Sequence, residues 1–167
     1  MLAQKKGNIE LITPESRAQI DKWLTKYPTD QKQSAVMGAL RIVQNQNGGS
    51  LTTELMDAIA EYLDMQPIAV YEVATFYSMY ELSPVGKHKL CVCTNVSCML
   101  CGSDDVVNHL KDKLGIDFGE VTKDGQYSLK EVECLGACVN APVMQVGEEY
   151  YEHLTPEKID EILAQLD

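Results

Sequence analysis

The sequence predicts an α+β protein in two parts, a helical bundle followed by a small mixed sheet flanked by helices. Three observations lead to this prediction. Apolar residues recur at helical spacing through the first half of the chain. After a turn-forming segment at 83–86 (SPVG), the pattern changes to short alternating stretches. All six cysteines then lie between Cys91 and Cys138. We therefore expect a helical domain over residues 1–84 and a sheet domain over residues 85–167.

The first half is expected to form four helices. Thr13-Pro14-Glu15 offers a hydroxyl cap, an N1 proline and an acidic first turn, which together favour a helix start. A fourth, short helix can begin at Pro67. The apolar stripes that define the first three helices comprise Ile20, Leu24 and Tyr27, then Val36, Leu40 and Val43, then Leu55, Ile59 and Leu63.

The second half is expected to follow the order β-α-β-β-β-α. A helix is predicted from Ser103, which would cap it, to Gly115, which would end it. A last helix should begin at Thr155-Pro156. Strands are predicted at 87–93, 126–133, 142–146 and 149–152, with a further strand possible near Val121.

The composition excludes several classes of protein. The 167 residues include 14 Lys and Arg against 25 Asp and Glu, so the net charge is −11. Phosphate backbones and anionic membranes repel such a chain. Hydrophobic residues make up 45%, which is enough to build a core. No apolar run approaches the ~20 residues that span a bilayer, and the N-terminal segment lacks the apolar stretch of a secretory signal.

Two cysteine pairs lie just beyond the ends of predicted strands. Cys93 and Cys98 form a C-x4-C pair, and Cys134 and Cys138 form a C-x3-C pair. If both loops leave one edge of the sheet, four thiolates can meet there, a donor set that suits zinc or an iron–sulfur cluster. Both spacings are wider than the C-x2-C knuckle of structural zinc sites, which favours a [2Fe–2S] cluster.

Other uses of the cysteines remain open from spacing alone. Cys98 and Cys101 form a C-x2-C pair that could bind zinc together with Cys134 and Cys138. The same pair, after a strand and before a helix, could instead be a thioredoxin-type dithiol. The cysteines could also be inert, and Cys91 is expected to be an ordinary buried thiol.

Few other residues suggest chemistry. The hydroxyls of Thr94 and Ser97 and the amides around Gly136 could donate hydrogen bonds to cluster sulfurs. The three histidines stand apart from the cysteines and are expected on the surface or in packing. No G-x-G-x-x-G or G-x4-G-K-[ST] run is present, so NAD or ATP binding by those loops is not expected. No catalytic residue is expected on this chain.

Three runs together resemble one known family. They are VYEVATFY at 70–77, CTNVSC at 93–98 and CLGACVNAP at 134–142. They resemble the NuoE family of bacterial NADH–quinone oxidoreductase (complex I), and the resemblance extends over about residues 15–165. It implies a thioredoxin-like second domain with one [2Fe–2S] cluster of the N1a type. The cluster ligands that it implies are Cys93, Cys98, Cys134 and Cys138. Cys91 and Cys101 are additional to that set.

The resemblance also implies partners and a structural detail. The partner is the flavoprotein subunit NuoF, which carries FMN and binds NADH, and through it the peripheral arm of complex I. The cluster would exchange one electron with FMN, while this chain alone would catalyse nothing. The same implied role exists in NAD-dependent hydrogenases and formate dehydrogenases. The implied location is cytoplasmic, in a complex at the plasma membrane. Pro142 occupies the place of the cis-proline of thioredoxin-like folds, which raises the expectation of a cis bond there.

The helical domain is expected to bind the partner, since a bundle this small rarely buries all its apolar stripes. Aromatic and Met side chains concentrate at its end. Either they pack in a core or they form a contact surface for the flavoprotein subunit. These side chains are Tyr71, Phe76, Tyr77, Met79 and Tyr80.

Overall fold

The structure is a computed structural model that describes residues 7–166. It divides into two units, Met1–Pro84 and Val85–Asp167, each with its own hydrophobic core. The α+β class predicted from the sequence is confirmed. The segment in which no secretory signal is expected lies partly outside the described residues. Within residues 7–166, no helix combines the length and the apolar character needed to cross a bilayer.

The first unit contains the four predicted helices. Thr13 caps α1, since its Oγ1 accepts a hydrogen bond from the Ser16 amide at 3.2 Å. Thr52 caps α3 in the same way through the Leu55 amide at 3.3 Å. The helices are α1 (Pro14–Leu24), α2 (Val36–Gln46), α3 (Thr53–Leu63) and α4 (Pro67–Phe76).

The predicted stripes form the core of the first unit. Ile20, Leu40 and Ile59 are fully buried there. Gln44 is also buried and fixes the segment after α4, because its side-chain amide donates to the Met79 carbonyl at 3.2 Å and its oxygen accepts from the Glu81 amide at 2.7 Å. A buried polar side chain satisfied on both atoms costs little and specifies one arrangement.

The aromatic and Met side chains after α4 divide between the two expected roles. Tyr80 is buried in the core, and its hydroxyl donates to the Met37 carbonyl at 2.9 Å. Burial, followed by the neighbouring Tyr77, raises the pKa of Tyr80. Tyr71 packs against the core, and its hydroxyl donates to Asp57. Phe76, Tyr77 and Met79 are instead exposed.

The second unit contains the predicted mixed sheet. Its strand order is β2-β1-β3-β4, with β1 parallel to β2, β1 antiparallel to β3, and β3 antiparallel to β4. The further strand near Val121 is a single bridge to Ser128. The elements in chain order are β1 (His88–Cys93), α5 (Val96–Leu100), α6 (Ser103–Leu114), β2 (Tyr127–Val132), β3 (Met144–Val146), β4 (Glu149–Tyr151) and α7 (Pro156–Leu166).

The core of this unit joins one face of the sheet to the two long helices. Leu90 of β1 and Leu129 of β2 are buried with Leu110 of α6 and Ile159 of α7. His109 and Lys113 of α6 both bond one carboxylate oxygen of Asp160 on α7, at 2.8 and 2.5 Å. The helices are thus fixed to the sheet by apolar packing and to each other by a charged contact at their surface.

The start of α6 differs from the prediction. Gly102, with φ +93°, is the cap residue, and Ser103 is the first helical residue. The Ser103 hydroxyl is buried and, within the described residues, has no hydrogen-bond partner. The left-handed backbone at Gly102 turns the chain sharply from α5 into α6, a conformation that glycine adopts at little cost.

Candidate metal centre

Two loops that carry cysteines leave the same edge of the sheet. We call residues 93–101 the first cysteine loop and residues 134–142 the second cysteine loop. The first loop begins at the last residue of β1, and the second begins two residues beyond β2. Because β1 and β2 are parallel with Cys93 opposite Val132, their carboxyl ends lie side by side. The sequence-based expectation that both loops share one edge is therefore met.

Backbone hydrogen bonds fix the end of β1 between its neighbours. The Cys93 amide donates to the Val143 carbonyl at 3.1 Å, and the Thr94 amide donates to the Val132 carbonyl at 3.3 Å. Val143 follows Pro142, and the Ala141–Pro142 peptide bond is cis, as the resemblance led us to expect. The first cysteine loop is thus tied to the strand before the second loop and to the segment after it.

Three of the four expected ligands interact directly. Cys93 and Cys98 are buried, and their thiols are hydrogen-bonded to each other. The Cys93 thiol also donates to the Glu133 carbonyl, one residue before Cys134, at 3.7 Å. Cys138 lies close enough for its charge to act on Cys98. Cys134 and Cys138 are exposed, so the site has a buried side and an open side.

The thiols are arranged unfavourably for ionisation unless a cation is present. Burial raises the pKa of Cys98 to about 11, and the hydrogen bond and charge of Cys93 act in the same direction. A hydrogen bond from the Val143 backbone acts in the opposite direction. A bound metal reverses this balance, because a coordinating thiol gives up its proton to the cation's field. The crowding of these thiols therefore fits a cationic metal group.

Hydrogen-bond donors to sulfur are partly as predicted. The Gly136 amide donates to the Cys134 sulfur at 3.3 Å, and φ at Gly136 is +74°, a left-handed conformation suited to glycine. The prediction for Thr94 is wrong, because its hydroxyl donates to a carboxylate oxygen of Glu131 at 2.7 Å instead. Ser97 is exposed on α5. Sequence reasoning missed Glu131 because its contact with Thr94 depends on the pairing of β1 with β2.

The remaining cysteines and histidines lie outside this arrangement. Cys91 is buried in β1, as predicted for an ordinary thiol. Cys101 ends α5 and is exposed, whereas Cys98, three residues earlier, is buried. His109 bonds Asp160 between α6 and α7, and the ring of His88 lies 5.7 Å from that of Tyr127.

The donor set fits a cluster that shares its ligands between two irons. Within residues 7–166, no group of three or more His, Cys, Asp or Glu side chains converges closely enough to hold one metal ion. A [2Fe–2S] cluster needs no such group, since each iron takes two of four thiolates. Four cysteines on two loops, with amide donors from Gly136 and Val143, provide that pattern.

Comparison with known proteins places these features in a family. The family model for thioredoxin-like [2Fe-2S] ferredoxins matches residues 20–167. The NADH-quinone oxidoreductase subunit NuoE of Rickettsia bellii is 51% identical over 143 residues, which cover 86% of this chain and 86% of the relative. The same subunit of Rickettsia typhi is 47% identical over 142 residues, covering 85% and 84%. The resemblance inferred from the three sequence runs is confirmed.

A solved structure shows the same fold. A chain in the crystal structure of the air-oxidised NAD+-reducing [NiFe]-hydrogenase superposes with a TM-score of 0.68 at 19% identity. The match covers 81% of this chain but only 24% of that chain. At this identity, the likeness concerns the fold alone.

Proposed function

The chain belongs to the thioredoxin-like [2Fe-2S] ferredoxin family, and on this basis we propose that it is the electron-transfer subunit NuoE of an NADH–quinone oxidoreductase. Its relatives of 51% and 47% identity are such subunits along most of their length. The observation that carries the proposal is the meeting of two cysteine loops at one edge of β1 and β2, with Cys93, Cys98 and Cys138 in mutual contact or charge interaction.

The proposed ligands are Cys93, Cys98, Cys134 and Cys138. When bound, a [2Fe–2S] cluster supplies reversible one-electron chemistry, here of the N1a type with FMN on the flavoprotein subunit NuoF. The chain's own residues position and tune it. Cys93 and Cys98 anchor the buried side, Cys134 and Cys138 form the open side, and the Gly136 amide donates to the Cys134 sulfur.

The wider assignment follows from the same proposal. FMN and NAD belong to the partner, so this chain takes part in the oxidoreductase reaction without catalysing it alone. The helical domain, residues 1–84, is proposed to bind the partner. We place the complex at the cytoplasmic side of the plasma membrane, with this chain in its peripheral arm.

The first test is an anaerobic purification of the full chain with iron and acid-labile sulfide counted. We expect about two irons and two sulfides per chain, and an EPR signal that appears only after reduction. Serine at any of the four proposed ligand positions should lose or distort that signal. Cys91→Ser and Cys101→Ser are the matched controls and should keep it. Loss of the signal in Cys101→Ser would contradict the ligand set.

The second test concerns the partner. Adding NADH to the chain alone should leave the EPR signal absent, because no flavin is present to accept a hydride. Adding NADH together with the purified flavoprotein subunit should produce the signal. A colourless chain with one zinc, or with no metal after anaerobic reconstitution, would overturn the proposed function.

A further inference from the structure

Four strongly exposed apolar side chains flank the cysteines. They are Val96, Met99 and Leu100 on α5 and Val139 beside Cys138, and we call them the apolar collar. Val139 is 95% exposed and Leu100 is 77% exposed. The burial pattern of α5 is therefore inverted, since Cys98 faces inward while its apolar neighbours face outward. Grouped apolar side chains with this exposure mark a surface that another molecule covers.

Both cysteine loops also lack charge. Residues 93–101 (CTNVSCMLC) and 134–142 (CLGACVNAP) contain no Asp, Glu, Lys or Arg, although 23% of the whole chain is charged. Depletion of charge around apolar side chains is typical of the centre of a protein–protein interface. The collar and the charge-free loops thus describe one surface around the open side of the site.

The charge of the chain helps to identify what covers this surface. A second copy would bring another chain of net charge −11 against the first, together with a second set of ligand thiolates. A partner without excess negative charge meets no such repulsion. Cys134 and Cys138 are the exposed thiols, so a redox group on a partner can approach most closely from this side.

We propose that the apolar collar is the docking surface for the flavin-carrying subunit, through an apolar face of that subunit that lacks excess negative charge. The inference rests on the proposed function and adds the surface through which the partner is recognised. Docking here covers Cys134 and Cys138 and excludes water from both cysteine loops. It also brings the two redox groups together, and electron transfer slows steeply as the distance between such groups grows.

The first experiment measures binding of the full chain to the purified flavoprotein subunit by calorimetry. The variants are Leu100→Glu and Val139→Glu, which place a charge in the collar. The control is Tyr150→Glu, a half-exposed side chain on β4 outside both loops. We expect the collar variants to bind about tenfold more weakly or worse, with an unchanged EPR spectrum, and the control to bind like the wild type.

The outcomes separate this inference from the function on which it rests. Collar variants that bind like the wild type overturn the docking surface, while a wild-type chain that binds and shows its EPR signal leaves the function standing. A wild-type chain without that signal contradicts the function itself.

A second measurement needs no variant, so it also covers the case in which a collar variant loses its metal. Hydrogen exchange of the wild-type chain should slow at residues 96–101 and 138–141 when the flavoprotein subunit binds. Unchanged exchange there overturns the proposal. Self-association of the chain that Val139→Glu abolishes would also overturn it, by showing that a second copy covers the collar.

Discussion

At the residue scale, Glu131 is placed to tune the site without binding metal. Its carboxylate accepts a hydrogen bond from Thr94, the residue that follows Cys93. A negative charge held there disfavours an added electron. We expect Glu131→Gln to raise the midpoint potential in an EPR-monitored titration by roughly 20 mV, the effect of a unit charge about 8 Å away in a water-like dielectric.

The control for this prediction removes the same charge elsewhere. Glu149 lies on β4, at the far edge from β2 in the strand order. Glu149→Gln should shift the potential much less than Glu131→Gln. Thr94→Val keeps the carboxylate but frees it, so its shift should have the same sign as that of Glu131→Gln and be smaller. Equal shifts in both glutamine variants would show that the Thr94 contact has no special effect.

At the scale of elements, the contact between α6 and α7 gives a pH-dependent stability. The hydrogen bonds from Lys113 and then His109 hold the pKa of Asp160 below its usual value. A carboxyl whose pKa is lowered in the folded state stabilises the fold above its unfolded pKa and loses that effect as the pH falls through its folded pKa.

We therefore expect Asp160→Asn to lower the melting temperature at pH 7 by about 1–3 °C, a small effect because the group is exposed. The gap between the variant and the wild type should narrow as the pH falls below about 4, the ordinary pKa of an aspartate. Thermal unfolding followed by circular dichroism from neutral to strongly acidic pH measures both. Asp112→Asn, on the exposed side of α6, is the matched control and should change little. A gap that stays constant with pH would contradict the assignment.

The elements also show what sequence can and cannot predict. The long helices and the strands carry start signals and apolar periods that burial then respects, as at Thr13 and in the stripe of Ile59 and Leu63. Helix α5 was not predicted. Its apolar residues face outward, which inverts the rule on which periodicity depends. Its one local sign was Asn95, whose side chain accepts from the Val96 amide at 2.7 Å.

The site divides in the same way. Cysteine spacing and strand ends predict the shared edge, because parallel strands bring their carboxyl ends together. The Thr94 contact with Glu131 and the inward direction of Cys98 depend on register and loop conformation, which one sequence does not specify. The ligand set itself stays a prediction that the serine variants test.

At the scale of the whole molecule, the net charge of −11 acts on the same site from many positions. Each distant carboxylate opposes the added electron slightly, and salt screens distant charges first. The Debye length falls from about 30 Å at 0.01 M salt to about 3 Å at 1 M. We therefore expect the midpoint potential of the isolated chain to rise as salt increases over this range.

The shift caused by Glu131→Gln separates the local charge from the global one. Glu131 contacts the residue next to Cys93, so its effect acts over a short distance and salt screens it less than the sum of the remote charges. The difference between variant and wild type should therefore change less with salt than either potential does. Potentials that stay constant or fall with salt would show that local hydrogen bonds alone, such as that of Gly136 to Cys134, determine the potential.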